Sequence, residues 1–167
     1  MFDEEVAVAK IYISWEEIVD MIDDILWKIK DARDLSNVTS NYDKVIGIER
    51  GGCIPGVMMS HQLGIPYNSL KWSTRDHVGK DNISKLLDLN EKSILLVDDI
   101  NDSGETISTL LERLEQLGFT GNITICTLLS KSTSINTVDY YAKELKTPEE
   151  LDSWYVFPWE VIQTEEI

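Results

Sequence analysis

The sequence is poor in cysteine and lacks any long apolar run. Its two cysteines, Cys53 and Cys126, show neither metal-ligand spacing nor the pattern of a disulfide framework, so we expect two buried thiols in a reducing compartment. No stretch approaches the roughly 18 apolar residues of a membrane span, and residues 1–10 lack the basic start and apolar run of a signal peptide. These absences predict a soluble, cytoplasmic protein without a membrane partner.

Basic side chains are also scarce. The chain has 15 Lys and Arg against 30 Asp and Glu, which gives a formal net charge of -15. Such an acidic protein repels the phosphates of nucleic acids and of anionic membranes, so we expect no nucleic-acid partner. A small phosphorylated ligand is not excluded, because salt screens distant charges over about 8 to 10 Å and leaves local groups to decide.

The length and composition predict one domain over residues 1–167. With 167 residues, 43% of them hydrophobic, the chain is long enough to bury a core. The sequence shows no internal repeat, low-complexity tract or interdomain linker that would divide it.

The most informative stretch is 93–106, SILLVDDINDSGET. An apolar run from Ser93 to Val97 predicts a buried strand. After an acidic turn, apolar residues at helical spacing predict a helix that ends at Gly118. The candidate ligand residues of the turn are Asp98, Asp99, Asp102, Ser103, Gly104, Glu105 and Thr106.

This turn combines two kinds of binding group. Hydroxyls and backbone N–H groups of Ser103, Gly104 and Thr106 stand at a helix N-terminus, which favours a phosphate. The aspartates would repel an anion, so their expected partners are sugar hydroxyls or a hydrated Mg²⁺ ion. A phosphorylated ribose offers both, but two alternatives stay open: an acidic turn that only caps a helix, and a phosphoacceptor receiver domain.

A second strand also runs into a candidate binding turn. The run KVIGIE, Lys44 to Glu49, predicts a buried strand and is followed by Arg50, Gly51 and Gly52. Two glycines let a backbone approach a ligand closely, and the guanidinium of Arg50 offers a fork of donors to phosphate oxygens. The alternative is a glycine-rich turn with a surface arginine.

The other periodic segments complete an α/β pattern. Ser14 and Glu17 form a capping box that opens a helix to about residue 33, and a second helix is predicted over 55–63. Further strands are predicted over 65–70, 121–129 and 138–142. The alternation predicts a five-stranded parallel sheet flanked by helices, with ligands at the carboxyl ends of the strands.

Two further segments are candidate covers for a site. The polar segment 71–89 concentrates bases, among them Arg75, and is either a solvated excursion or a functional segment. The segment 152–160, DSWYVFPWE, holds four aromatic residues, which is more typical of a packed lid than of a cofactor site. Lys131, after the strand over 121–129, is by itself no more than a surface lysine.

The order of these segments resembles that of the type I phosphoribosyltransferases, most closely the xanthine-guanine and hypoxanthine (6-oxopurine) enzymes. LLVDDINDSGET is similar to the family signature for phosphoribosyl pyrophosphate (PRPP), the segment 50–52 to its pyrophosphate loop, and DSWYVFPWE to its base-binding end. The resemblance implies the type I fold, with a small hood from about 65–90 and 131–167, and a cis peptide bond between Glu49 and Arg50. The chain departs from the family in having Ser103 for Thr, an anionic Glu105 in the phosphate loop, and Glu160 for Asp.

The resemblance also implies a role for each candidate residue. Asp102 would be the general base toward purine N7. The ribose and 5′-phosphate of PRPP would be held by Asp98, Asp99, Ser103, Gly104, Glu105 and Thr106, and the pyrophosphate by Arg50, Gly51, Gly52 and Arg75. The purine would meet Lys131 at O6, the ring of Trp154 and the backbone of Tyr155, and Mg²⁺ would be bound by Asp98, Asp99 and Glu160.

By this resemblance the protein transfers the 5-phosphoribosyl group from PRPP to guanine, xanthine or hypoxanthine and releases pyrophosphate in purine salvage. Relatives in the family are commonly dimers or tetramers, so a homo-oligomer is expected. Two alternatives are kept: a regulator on the same fold that senses PRPP or a nucleotide without turnover, and an enzyme with another base acceptor, adenine or orotate.

Overall fold

Apolar runs in the sequence become the strands of a parallel sheet. The structure, a computed structural model, describes residues 8–31, 42–72, 83 and 92–160. The main sheet has the strand order β3-β2-β4-β5-β6, and every neighbouring pair is parallel. Its strands are β2 (Lys44–Glu49), β3 (Tyr67–Lys71), β4 (Ser93–Asn101), β5 (Asn122–Lys131) and β6 (Tyr140–Leu145). The predicted α/β fold with a five-stranded parallel sheet is confirmed.

The helices that the structure describes flank this sheet. They are α1 (Trp15–Asp31), α2 (Cys53–Leu63), α3 (Glu105–Gln116) and the short α4 (Pro148–Asp152). The predicted capping box of α1 is present, because Glu17 N–H donates to Ser14 Oγ at 3.2 Å and Ser14 N–H donates to Glu17 Oε2 at 2.7 Å. α2 ends at Gly64, whose left-handed φ of 67° closes the helix.

Successive residues of the central strands face opposite cores. Val45, Leu95 and Cys126 pack with α1 and α2 on one face of the sheet. Ile46, Leu96, Ile125 and the apolar side of α3 form the core on the other face. Burial on both faces is what makes these strands apolar throughout rather than alternating.

A second, two-stranded sheet joins the two ends of the described chain. β1 (Lys10–Tyr12) pairs in parallel with β7 (Trp154–Val156), with Ile11 opposite Tyr155. β1 was not expected, because its three residues are exposed and give no apolar pattern. Beyond β7 the rings of Phe157 and Trp159 stack with centroids 4.9 Å apart.

Several boundaries differ from the expectations. β4 continues to Asn101 and β5 to Lys131, since their backbones keep pairing past the apolar residues. The strand predicted over 65–70 is β3, which starts at Tyr67, ends at Lys71 and lies at an edge of the main sheet. Cys126 is buried as expected, whereas Cys53 is only partly so. None of the described helices has the length and apolarity needed to cross a membrane.

Candidate active site

The carboxyl ends of β2, β4 and β5 meet at one edge of the main sheet, and two cavities open there. The larger has a volume of about 330 Å³ and is lined mainly by residues 98–107, which comprise the end of β4, the turn after it and the start of α3. The smaller, of about 210 Å³, lies between that turn and the aromatic segment. The cavities share Asp99, Ile100 and Asp102 in their walls. They therefore form one divided site.

Two adjacent carboxylates lie in the larger cavity at the end of β4. Asp98 Oδ1 accepts from Asp99 N–H at 2.9 Å, and Asp99 Oδ1 accepts from Ile100 N–H at 2.7 Å. Burial, with the neighbouring Asp99 charge second, raises the pKa of Asp98 well above its usual range. Burial, joined by the charge of Glu160, raises the pKa of Asp99 to about 6. Both carboxyls therefore favour their protonated forms in the ligand-free protein, and a bound cation or hydroxyl donors would stabilise their charged forms.

The glycines after β2 are required by crowding within the protein. A Cβ on Gly51 would overlap the carboxylate of Asp99, and one on Gly52 would overlap the carbonyl oxygen of Val97. The glycine turn and the acidic turn are therefore in direct contact. The peptide bond between Glu49 and Arg50 is cis, as the resemblance implied.

Arg50 is exposed and is not among the described lining of either cavity, although its neighbours Glu49 and Gly51 line the larger one. Within the described residues its guanidinium has no ion pair or hydrogen bond, so its donors are available to an anion. Arg75, the other predicted pyrophosphate ligand, lies outside the described residues.

The loop between β4 and α3 and the first turn of α3 also line the larger cavity, through Ser103, Gly104, Glu105 and Thr106. Gly104 has a φ of 87°, a left-handed conformation that favours glycine. Ser103 Oγ accepts from Glu105 N–H at 3.3 Å. Glu105 is the first residue of α3 and is exposed, so a carboxylate stands beside the expected phosphate position.

An ion pair lies in the wall of the smaller cavity. Lys131 Nζ is 2.8 Å from Asp102 Oδ1, and the lysine side chain is 16% exposed whereas the aspartate is 61% exposed. The sequence placed these residues in separate segments, and the pairing of β4 with β5 brings them together. A cation and an anion thus face the cavity side by side.

The aromatic segment closes the other side of the smaller cavity. Trp154 is 56% exposed, while Tyr155 and Phe157 are buried, and all three line the cavity. The Tyr155 hydroxyl is buried without a hydrogen-bond partner among the described residues. Glu160 also lines this cavity, and its Oε2 accepts from Phe157 N–H at 2.9 Å.

Sequence reasoning missed several residues of the site. Glu49 lines the larger cavity and accepts from Ser69 Oγ at 2.6 Å, and Trp72 and Asn101 also line it. A signal existed for Asn101, a polar residue between Ile100 and Asp102 in a segment that continues a strand. No sequence pattern marked Trp72.

The donor set fits a divalent cation bound together with a ligand. Among the described residues, no three carboxylate, imidazole or thiol groups converge into a preformed metal site. Asp98 and Asp99 nevertheless supply carboxylate oxygens, which Mg²⁺ prefers, and Mg²⁺ commonly completes its shell with substrate phosphates and water.

Comparison with known proteins gives consistent results. The profile of the family described as phosphoribosyl transferase domain matches residues 10–164. A xanthine-guanine phosphoribosyltransferase of Idiomarina loihiensis is 26% identical over 156 residues, which cover 90% of this chain and 86% of that protein. One from Cereibacter sphaeroides is 27% identical over 158 residues, covering 90% and 86%. The crystal structure of a purine phosphoribosyltransferase from Pyrococcus horikoshii matches with a TM-score of 0.67 and 28% identity, covering 96% of this chain and 99% of that one.

Proposed function

Because the chain belongs to the phosphoribosyltransferase family, its reaction is the transfer of a phosphoribosyl group, and we propose that the acceptor is a 6-oxopurine: guanine, xanthine or hypoxanthine. PRPP would be the donor, and the products would be a nucleoside monophosphate and pyrophosphate, as purine salvage requires. The main observation in support of this proposal is the ion pair of Lys131 with Asp102 in the smaller cavity.

This ion pair offers one donor beside one acceptor. A 6-oxopurine in its N7–H tautomer has the complementary edge, because O6 accepts from the ammonium of Lys131 and N7–H donates to the carboxylate of Asp102. Adenine would turn an amino donor toward the ammonium and leave that charge without an acceptor, which is costly at a mostly buried lysine. The site should therefore reject adenine.

The aromatic segment supports a planar ligand. Trp154 lines the smaller cavity and is 56% exposed, so its ring would be accessible for stacking on a base. Tyr155, the next residue, lines the same cavity and would read the base edge through its backbone.

Transfer breaks the bond between C1′ and the pyrophosphate oxygen, which leaves with the electron pair, and forms the bond between C1′ and purine N9. Asp102 would take the N7 proton as N9 attacks, a general-base role. The exposed Arg50 and the backbone N–H group of Gly51 would stabilise the departing negative charge, whereas the N–H of Gly52 already donates to the carbonyl oxygen of Ile48 at 2.8 Å. We assign Arg75 as a second cation for the pyrophosphate.

The larger cavity would hold the phosphorylated ribose. The carboxylates of Asp98 and Asp99 would accept from the ribose hydroxyls, and the loop from Ser103 to Thr106 would bind the 5′-phosphate. The same two carboxylates, with Glu160, would hold Mg²⁺, which when bound neutralises negative charge on the pyrophosphate.

The test is pyrophosphate release from PRPP and Mg²⁺, with guanine, xanthine, hypoxanthine, adenine and orotate supplied separately. We expect release with at least one 6-oxopurine and none with adenine or orotate. Release only with adenine or orotate, or with none of the five bases, would overturn the proposed acceptor.

A pair of lysine variants ties the specificity to the ion pair. Lys131→Met should lower kcat/KM for the 6-oxopurine by about 10²-fold or more, because the O6 donor is lost. Lys146→Met is the matched control, since Lys146 also pairs with a carboxylate, Glu144 at 2.8 Å, and does not line the smaller cavity. Equal activity of both variants would remove Lys131 from base recognition.

A further inference from the structure

We propose that Asn101 is a positioning residue that holds the Ser103–Gly104 peptide with its N–H toward the 5′-phosphate. The inference rests on the proposed function, since it needs a phosphorylated ribose in the larger cavity. Asn101 is the last residue of β4, is 2% exposed and pairs in register with Ser130 of β5. A buried polar side chain needs hydrogen-bond partners, and those partners show which segments Asn101 fixes in place.

The amide of Asn101 makes three hydrogen bonds, all to residues at or after the end of β5. Its Nδ2 donates to Ser130 Oγ at 3.1 Å and to the carbonyl oxygen of Asn136 at 2.8 Å. Its Oδ1 accepts from Ser134 Oγ at 2.9 Å. The side chain thus fixes residues 134–136, the brace segment, against the end of β4.

The brace segment is hydrogen-bonded in turn to the phosphate loop, the segment from Ser103 to Thr106. Ile135 N–H donates to the carbonyl oxygen of Ser103 at 2.9 Å, and Asn136 Nδ2 donates to that of Gly104 at 3.2 Å. The approach is close, because a Cβ on Gly104 would lie 2.5 Å from Ser134 Oγ. The Ser103 carbonyl is therefore turned toward the brace, whereas the Gly104 carbonyl is shared between Asn136 and the N–H of Ser108 in α3, at 2.9 Å.

This arrangement decides which edge of the peptide faces the ligand. In a trans peptide the N–H points opposite to the C=O, so with the Ser103 carbonyl tied to Ile135 the Gly104 N–H points away from the brace segment. The larger cavity is lined by Ser103 and Gly104, whereas none of residues 134–136 is among its described lining. The cavity thus lies on the N–H side, where a phosphate is attracted. A rotated peptide would offer it a carbonyl oxygen instead.

The brace also connects the two cavities. Ser134 N–H donates to the carbonyl oxygen of Lys131 at 3.1 Å, and Lys131 is the lysine of the smaller cavity. Asn101 itself directly precedes Asp102. One buried amide therefore sits between the groups that we assign to the base and those that we assign to the phosphate.

The test compares ligands with and without the phosphate, in the absence of metal. Affinities for GMP and guanosine are measured by calorimetry for the wild type, Asn101→Leu and Asn136→Ala. We expect the ratio of GMP affinity to guanosine affinity to fall about 3- to 10-fold in each variant. This is the effect of losing one hydrogen bond from the Gly104 N–H to the phosphate, worth about 1 kcal/mol. Guanosine affinity should stay near the wild-type value, because we assign the phosphate loop to the 5′-phosphate and the nucleoside to other residues.

The control is Thr127→Val on β5. Thr127 is fully buried and its Oγ1 has no hydrogen-bond partner among the described residues, so this nearly isosteric change removes a buried hydroxyl outside the brace. Its GMP preference should match the wild type. If Asn101→Leu does not fold, Asn136→Ala decides, because Asn136 is partly exposed and its side chain donates directly to the loop.

The outcomes separate the inference from the proposed function. An unchanged GMP preference in the folded variants would overturn the positioning role and leave the phosphoribose site intact, and so would an equal loss for GMP and guanosine. A wild type that binds GMP no better than guanosine would overturn both. If the wild type binds ribose 5-phosphate but not GMP, the base assignment fails, and the same variants are then judged by their affinity for ribose 5-phosphate.

Discussion

The ammonium of Lys131 lies 2.8 Å from Asp102 Oδ1, at the junction of the two cavities. The two partners differ in solvent exposure, because the lysine is only 16% exposed whereas the aspartate is 61% exposed. A ligand that inserts between them replaces one ion pair by two charge-assisted hydrogen bonds. The pair therefore suits a ligand that has an acceptor next to a donor, and a substitution of either Lys131 or Asp102 can test this.

Asp102→Asn should lower turnover by about 10²- to 10⁴-fold, since an amide cannot take the N7 proton. PRPP affinity should change little, because the ribose and phosphate are assigned to other residues. Initial rates with saturating base, together with calorimetric titration of PRPP and Mg²⁺, measure both quantities. Turnover equal to the wild type would remove Asp102 from the chemistry.

Asp99→Asn should stabilise the ligand-free protein at neutral pH. Burial raises the pKa of Asp99 from its ordinary 3.8 to about 6, so the folded state favours the protonated form. The contribution of Asp99 to the free energy of unfolding is fully present below the pKa that it has in the unfolded chain. That contribution is lost as the pH rises through its pKa in the folded protein. Removing the charge should therefore raise the free energy of unfolding by about 1 to 3 kcal/mol above pH 6.

The measurement is thermal unfolding of both proteins at several pH values, without ligand. The gain should grow between about pH 4 and pH 6 and then level off. Asp20→Asn is the control. Asp20 is exposed on α1, so this substitution removes the same charge from the protein surface. A gain that is equal at pH 4 and pH 7 would contradict the electrostatic explanation.

Gly51→Ala should weaken PRPP binding by displacing the carboxylate of Asp99, which the new Cβ would overlap. The expected loss is about tenfold, the scale of one displaced charged hydrogen-bonding group. Calorimetric titration of Gly51→Ala, Asp99→Ala and the double variant tests the contact. The double variant should bind no worse than Asp99→Ala, because the two residues act through one contact. Strictly additive losses would show that Gly51 acts independently of Asp99.

Glu105→Gln should strengthen the binding of PRPP a few-fold, because it removes an exposed carboxylate beside the phosphate loop. It should also lower thermal stability slightly, since a negative side chain in the first turn of α3 stabilises the helix by about 0.3 to 1 kcal/mol. Affinity at low and high salt checks the first effect, and the gain should shrink as salt screens the charge. Weaker binding in the variant would mean that Glu105 accepts a bond from the ligand.

Local sequence was sufficient for the elements that build the larger cavity. The apolar run before Asp98, the small residues after Asp102 and the helical spacing from Ile107 are consecutive in the chain. Strand, turn and helix start follow from such short-range patterns, because backbone conformation and burial of one face depend on neighbouring residues. The same holds for β2 and the glycine turn.

Contacts between distant segments were decided only by the tertiary structure. The pairing of Lys131 with Asp102, the brace behind Ser103 and Gly104, and the sheet that joins β1 to β7 all depend on strand order and register. β1 itself has no apolar pattern, and it is a strand because β7 supplies its hydrogen-bond partners. Polar Asn101 is likewise buried because β5 and the brace satisfy its amide. A linear pattern records which residues prefer burial, whereas partners for buried polar groups exist only after the chain has folded.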